Sequence, residues 1–581
     1  MRFADLVAVY ERLEGTTKRL EMIDALTDLL RRVPAKVIGR VVYLTQGDLA
    51  PGFQDVKMGL AEKLVIRALA FATGLSQPLV ESRWKELGDM GTVAERVLKE
   101  KRQGTLTSTP LTVEKVHGNL LGIAQAAGTG SQEEKIRLLA DLLNDATPVE
   151  ARYILRVVVG KMRLGVADMT LVEALARAFA TREDKPAVER AYNVSSDLGR
   201  VAEVLAEEGL PGLGEIHLRV GVPVRSMLAE RLPSLEGVME KLGRSALEFK
   251  YDGLRIQAHI DPDAVVLYSR RLDVLTPQFP DIVEGLRDAF RGRNAILDAE
   301  AVPVDMNTGG FLPFQEVSHR RRKYGVQEAI QEIPVALLVF DCLYLDGEEL
   351  LERTYADRRA ALGRAIQETE RVRLAEQIVT DDQEEASRFF EEVINEGGEG
   401  LIAKDLASPY EAGSRGWQWI KYKRDYRSEL ADTVDLVIVG SFAGRGRRAG
   451  TYGALLMAAY EPEEDAFKTV CKLGSGFDDA TLFALPDRLR DFARDQKDPR
   501  VDSQLEADRW FEPAVVMEVL GAEITLSPMH TAGFGAIRPE AGLAIRFPRF
   551  TGRWRDDKGA REATSVAEIV SLYRSQLKQV S

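Results

Sequence analysis

A lysine separated by one residue from an Asp-Gly pair, in Glu248-Phe249-Lys250-Tyr251-Asp252-Gly253-Leu254-Arg255, is the arrangement in this chain with the plainest chemical use. A lysine attacks phosphorus only as the free amine, so such a site needs partial burial and neighbouring cations to favour that form. Phe249, Lys250 and Tyr251 read as a strand running into a turn, which would hold the amine on a rigid element beside a cleft. Taken alone, Lys-x-Asp-Gly recurs by chance, and a surface hairpin with a solvated lysine explains a lone match better. Further groups follow in order. Within Ala295–Val302, strand alternation puts Asp298 and Glu300 on one face. Two such carboxylates repel unless compensated, and a metal or a ribose hydroxyl is a natural partner. Glycines flank Glu399 in Gly397-Gly398-Glu399-Gly400, suiting either a close backbone approach to a ligand or a plain turn. Lys421 and Lys423 share a face of Trp417–Lys423, a pairing of like charges that a triphosphate would bridge.

The elements that must position these residues fall into three regions. From the N-terminus to about residue 215 the pattern is helical, with Leu138, Leu139, Leu142 and Leu143, and Leu60, Leu64 and Ala68, at helix spacing. Two loops in this region, Gly128-Thr129-Gly130-Ser131 ahead of a run with Lys135 and Arg137, and Gly160–Gly165, offer backbone N–H groups and cations to phosphate, or merely join helices. Leu213–Pro223 links to a stretch dominated by alternating strands up to about residue 425. Leu337–Tyr344 within it reads as a buried strand, in which composition makes Phe340 a core residue. Short strands at Leu455–Tyr460, Thr469–Leu473 and Val515–Leu520 then suggest a small barrel, with helices near Thr481–Ala493 and Ser565–Leu577. Its loop Gly444–Gly450 is the densest cationic patch of the chain.

At 581 residues the chain is too long for one core, and its 45% hydrophobic and 29% charged content fits a globular protein. No apolar run of about eighteen residues and no signal-peptide pattern occur, so a cytoplasmic protein without membrane contact is expected. The two cysteines, Cys342 and Cys471, lie in apolar strand-like runs, which predicts buried thiols and excludes a four-cysteine zinc site. The net charge of −13 disfavours indiscriminate nucleic-acid binding, yet a protein encircling a duplex needs basic residues only on its inner face.

The ordered set of stretches resembles the covalent nucleotidyltransferases, and the whole chain resembles an ATP-dependent DNA ligase of the archaeal type. That resemblance implies a multidomain fold: an all-α DNA-binding domain (1–215), an α+β adenylation domain (216–425) and a C-terminal β-barrel OB-fold (426–581). It implies nick sealing in duplex DNA through a lysine-AMP intermediate, in replication, repair and recombination, with ATP as cosubstrate and Mg²⁺. Lys250 is then the nucleophile. Glu248 serves the adenine end, Phe340 stacks on adenine, and Arg255 and Arg270, the latter in Ser269-Arg270-Arg271, face ribose and the acceptor phosphate. Glu300 and Glu399 hold or orient the metal, with Glu300 also on the nucleotide, and Arg415, Lys421 and Lys423 meet its phosphates. Arg546, Arg549 and Lys558 of Ala544–Lys558 orient the pyrophosphate, although Thr551-Gly552 makes the spacing from Arg549 to Arg553-Trp554-Arg555 one residue longer than the commonest family version. Relatives dock on a sliding clamp through a glutamine followed by aromatics; here Gln103 and Leu106 remain and the aromatic pair is missing, so the anchor is reduced. A monomer is expected. The alternatives are a non-catalytic DNA-end-binding clamp, which intact Lys250, Glu300, Glu399 and Lys421 disfavour, and an RNA ligase or capping-type nucleotidyltransferase, which normally lacks so large a helical domain in front. NAD-dependent ligases add the zinc site that two cysteines cannot make.

Overall fold

A computed structural model describes residues 1–101, 109–304, 311, 317, 320, 322, 324–395, 398–423, 433–444, 451–521, 523–527, 529–546 and 548–578. Gln103, Leu106 and the basic loop from Arg445 to Gly450 lie outside the described residues.

Apolar residues at helical spacing dominate the first third, and there the described residues form helices from Phe3–Glu14 to Leu198–Gly214. Their starts and stops are written locally. Thr147 and Glu150 form a reciprocal capping box ahead of Pro148–Val158, Asp89 accepts from the Gly91 N–H, and Gly47, Gly74 and Gly88 end helices in the left-handed conformation. One continuous core runs from Phe3 to Leu213. Leu139, Leu142 and Leu143 are fully buried and Leu138 sits at the rim, while Leu60 lies ahead of the helix Glu62–Thr73 that carries Leu64 and Ala68. Lys135 does not face a phosphate loop. It turns inward and its Nζ donates to the Met58 carbonyl at 3.0 Å.

The strands follow in chain order: β1 (Leu228–Arg231), β2 (Ser245–Lys250), β3 (Leu254–Ile260), β4 (Val265–Ser269), β5 (Ala295–Pro303), β6 (Val335–Leu345), β7 (Glu348–Glu349), β8 (Val372–Leu374), β9 (Gln377–Thr380), β10 (Gly400–Asp405) and β11 (Arg415–Lys423). They build two sheets, one in the order β1-β11-β10-β2-β9 and one in the order β4-β3-β5-β6-β7 with β8 on β6. Since β5 lies inside the second sheet, Asp298 and Glu300 are not on an edge strand. The link Leu213–Pro223 is packed rather than loose. Leu218 and Val224 join Val194, Ile296, Leu343 and Trp419 in one buried cluster, and the Arg225 guanidinium lies 4.1 Å from the Tyr192 ring centroid with Nη2 2.9 Å from Asp168.

Later come β12 (Val434–Ala443), β13 (Tyr452–Glu461), β14 (Ala466–Leu473), β15 (Ala493–Arg494), β16 (Val501–Asp502), β17 (Arg509–Phe511), β18 (Val516–Leu520), β19 (Glu523–Ser527), β20 (Gly542–Arg546) and β21 (Arg549–Trp554), with helices Asp479–Arg488 and Val566–Lys578. Eight strands form a sheet along β15-β17-β12-β13-β14-β16, with β18 joining β12 to β21, and β19 pairs with β20. Cys342 in β6 and Cys471 in β14 are free and buried.

The chain divides into two compact units. One comprises residues 1–230, 242–381 and 402–420; the other comprises residues 231–241, 382–401 and 421–581. No helix among the described residues is long and apolar enough to cross a membrane.

Candidate nucleotide-transfer site

Lys250 ends β2, half-buried, where the chain leaves the sheet into the bend at Asp252 and Gly253. The glycine is needed for room rather than for an unusual backbone angle. A Cβ on Gly253 would lie 2.5 Å from the Ala301 carbonyl oxygen and 2.8 Å from Cγ of Glu300. The bend beside Lys250 is therefore pressed against β5 where Glu300 stands, and Arg255 on β3 pairs in register with Glu300.

The cation that compensates Asp298 comes from the chain itself. Arg255 makes a two-pronged contact with the fully buried Asp298, Nε to Oδ1 at 3.0 Å and Nη2 to Oδ2 at 2.6 Å, and also donates to the Met227 carbonyl. Against burial, which disfavours its charge, Asp298 raises the Arg255 guanidinium above its ordinary value. Glu300 remains half-buried.

Glu248 lies two residues before Lys250 and so on the same face of β2. It is buried, and its carboxylate accepts from Lys404 Nζ at 2.5 Å and from the Tyr355 hydroxyl. The Lys404 ammonium is enclosed by the rings of Trp419, Tyr355 and Phe340, at 4.3, 4.7 and 4.8 Å from their centroids. Burial pushes this ammonium below the ordinary lysine range, against the pull of Glu248. Phe340 is half-open in the middle of β6, where Leu338 and Val339 on one side and Asp341 and Cys342 on the other are buried. The buried indole N–H of Trp419 has no acceptor among the described residues.

Arg270, just after β4, and Arg415, first in β11, are exposed.

The second unit holds the other charged stretches. Gly400 has φ +144°, and a Cβ there would lie 2.2 Å from the Tyr422 carbonyl oxygen, so only glycine lets the two backbones meet. Beside that approach Lys423 Nζ pairs with Glu399 at 2.9 Å, while Lys421, on the same strand face, is half-buried. The last motif straddles β20 and β21. Arg546 ends β20, its side chain outside the described residues, and Arg549 begins β21, exposed. The pairing is irregular at Thr551-Gly552: Val519 faces Phe550 and Met517 faces Trp554, with Gly552 left-handed at φ +92° between them. Beyond it, Arg555 Nη1 and Lys558 Nζ both reach the Asp435 carboxylate, at 2.5 and 2.6 Å.

Residues 2–176 match the DNA ligase N terminus family, residues 226–423 the ATP dependent DNA ligase domain and residues 448–558 the ATP dependent DNA ligase C terminal region. DNA ligase 2 of Korarchaeum cryptofilum is 50% identical over 584 residues, covering 100% of this chain and 98% of its own. The DNA ligase of Pyrobaculum islandicum is 50% identical over 583 residues, covering 100% and 99%. The chain belongs to the ATP-dependent DNA ligases. The solved structure named Pmar-Lig_Pre, 16% identical over 95% of this ligase and 99% of that chain with a TM-score of 0.56, shares the fold.

Two residues of the ligase, Lys404 and Asp435, have no role in the sequence reading, and a third, Asp298, has a different partner from the one expected. Lys404 closes the stretch Leu401-Ile402-Ala403-Lys404, and a lysine ending an apolar strand was the available signal that it needs a buried partner. For Asp298 the sequence predicts a metal or a ribose hydroxyl as partner, whereas Arg255 takes it. Asp435, the lone acid in Val434-Asp435-Leu436-Val437-Ile438-Val439, signals by its isolation a buried cation partner.

Proposed function

We propose that Lys250 is the nucleophile by which this ligase seals nicks in duplex DNA. Its Nζ bonds to the α-phosphorus of ATP, the bond to the β-phosphate oxygen breaks, pyrophosphate leaves, and the amine proton passes to solvent. The AMP then transfers to a DNA 5′-phosphate. Attack by the neighbouring 3′-hydroxyl forms the phosphodiester and releases AMP.

The observation that carries this reading is the packing of the Lys250 bend onto β5 beside Glu300, with Glu248 two residues back on the same strand face. Supporting it at the base end is the half-open Phe340 ring, an apolar face suited to a nucleobase. Arg270 and Arg415 are exposed cations suited to ribose and phosphate oxygens, and Lys421 and Lys423 to the nucleotide phosphates. Arg255 acts by bracing Asp298 next to Glu300 as well as by its charge.

Mg²⁺ would be taken by Glu300 and Glu399. Such an ion is held by one or two carboxylates together with water and substrate phosphates. Bound there it would neutralise charge developing on the phosphates. We assign residues 1–215 to DNA binding, 216–425 to adenylation and 426–581 to an OB-fold, whose movement would carry Arg546, Arg549 and Lys558 onto the pyrophosphate and then release them. A monomer in the cytoplasm completes the proposal; clamp docking through Gln103 is left with a reduced anchor.

The test is incubation with α-labelled ATP. Wild-type protein should take up a stable label that Lys250→Ala abolishes, and should seal a nicked duplex with ATP in preference to ADP, GTP or NAD. A label that survives Lys250→Ala sinks the assignment.

A further inference from the structure

The two cations at the end of the last motif are held by one residue at the start of β12. Asp435 is 8% exposed, and its carboxylate accepts from Arg555 Nη1 at 2.5 Å and Lys558 Nζ at 2.6 Å. Its backbone holds the far end of the same loop: its N–H donates to the Thr564 hydroxyl at 2.9 Å, and its carbonyl accepts from the Thr564 N–H at 2.9 Å. Residues 555–564 thus fold around a single aspartate.

We propose that Asp435 is the positioning residue of the last motif, setting Arg555 and Lys558 as a two-cation fork for the departing pyrophosphate. This rests on the reading of Lys558 as a pyrophosphate contact. Donor counting supports a fork rather than a sequestered pair. Lys558 has three N–H bonds and spends one on Asp435; Arg555 has five and spends one on Asp435 and two on Asp557. Both keep donors to offer an anion without leaving the aspartate. Exposure distinguishes the two prongs: the Lys558 side chain is 33% exposed while Asp435 and Arg555 are 11% and 12%, so the ammonium is open and the guanidinium is enclosed with the carboxylate. A lysine in open water has rotamer freedom to lose on meeting an anion, and a fixed counter-ion removes much of that cost beforehand. Arg555, which the sequence resemblance passed over in favour of Arg546 and Arg549, becomes the second prong.

The experiment separates the pyrophosphate-dependent step from the later ones, using the full-length protein. With Asp435→Asn, single-turnover labelling of Lys250 by ATP should fall about tenfold or more with a raised apparent ATP constant, and pyrophosphate-driven removal of the label should fall in parallel, while sealing of a nick already carrying a 5′-adenylate stays within about twofold of wild type. Lys558→Ala should show the same split. Should Asp435→Asn fail to fold by circular dichroism, Asp435→Glu, which keeps the charge but displaces it by one methylene, must show the split instead. Labelling at or above the wild-type rate would mean that the aspartate only holds the lysine back, and overturns the proposal. Equal losses in labelling and in sealing of the adenylated nick would mean that it merely braces the fold, and overturn it too. A wild-type protein that takes no label from ATP would instead count against the nucleophile assignment of Lys250.

Discussion

At the scale of single residues, the site is defined by which charges are closed off and which are left open. Gly253 and Lys404 illustrate the two constraints. Gly253→Ala forces a methyl to within 2.5 Å of the Ala301 carbonyl, so the bend must lift from β5; labelling of Lys250 should drop by about tenfold or more even where the melting temperature shifts little. Lys404→Met fills the same volume but takes from the buried Glu248 carboxylate its nearest cation, leaving Arg359 at 3.9 Å, and the expected loss is about 3–5 kcal/mol by urea denaturation, partly restored by adding Glu248→Gln. A stable Lys404→Met single variant would show that the pair is dispensable. The Asp-Gly turn was legible in the sequence, but its reason was not. Gly253 is absent from the glycines with left-handed φ, and the crowding that excludes a side chain comes from a strand nearly fifty residues later.

At the scale of elements, a histidine couples the link to the first strand after the nucleophile bend. His259 on β3 is fully buried; the Gly221 N–H donates to its Nδ1 at 3.0 Å, so its proton sits on Nε2, which donates to Gln257 Oε1 at 2.9 Å. Gln257 in turn holds both backbone groups of Val224. Burial pushes the His259 pKa down to about 3. The folded state therefore resists a proton that the unfolded chain accepts below its ordinary value of about 6.5, so stability is full above that pH and declines as the pH falls toward about 3. Between pH 7 and 4.5 the loss attributable to His259 should be roughly 2–3 kcal/mol, seen as a shallower pH dependence of urea unfolding in His259→Gln. Identical slopes in the two proteins would refute this. Helix and strand identities at this scale were largely readable from period, whereas the caps, the irregularity at Gly552 and the inward turn of Lys135 came from the structure.

At the scale of the whole molecule, a net charge of −13 and a duplex substrate are reconciled if cations are concentrated where DNA lies. The two halves of the reaction should then respond differently to salt. Labelling of Lys250 depends on contacts made at close range and should change little between 50 and 200 mM salt, while affinity for nicked duplex should fall by about a thousandfold or more if six or more phosphates are neutralised. Parallel salt curves for labelling and for nick binding would speak against a distributed DNA-contact surface.

The sequence by itself determined the family, the order of the chemically loaded stretches and the helical-then-stranded layout, because each of these is a short-range pattern carried by contiguous residues. Only the tertiary structure decided who partners whom. Arg255 with Asp298, Glu248 with Lys404, and Asp435 with Lys558 are joined across sheet registers and long connections, the last pair 123 residues apart. A buried charge must find its counter-charge wherever the fold brings one near, and no spacing along the chain records that choice.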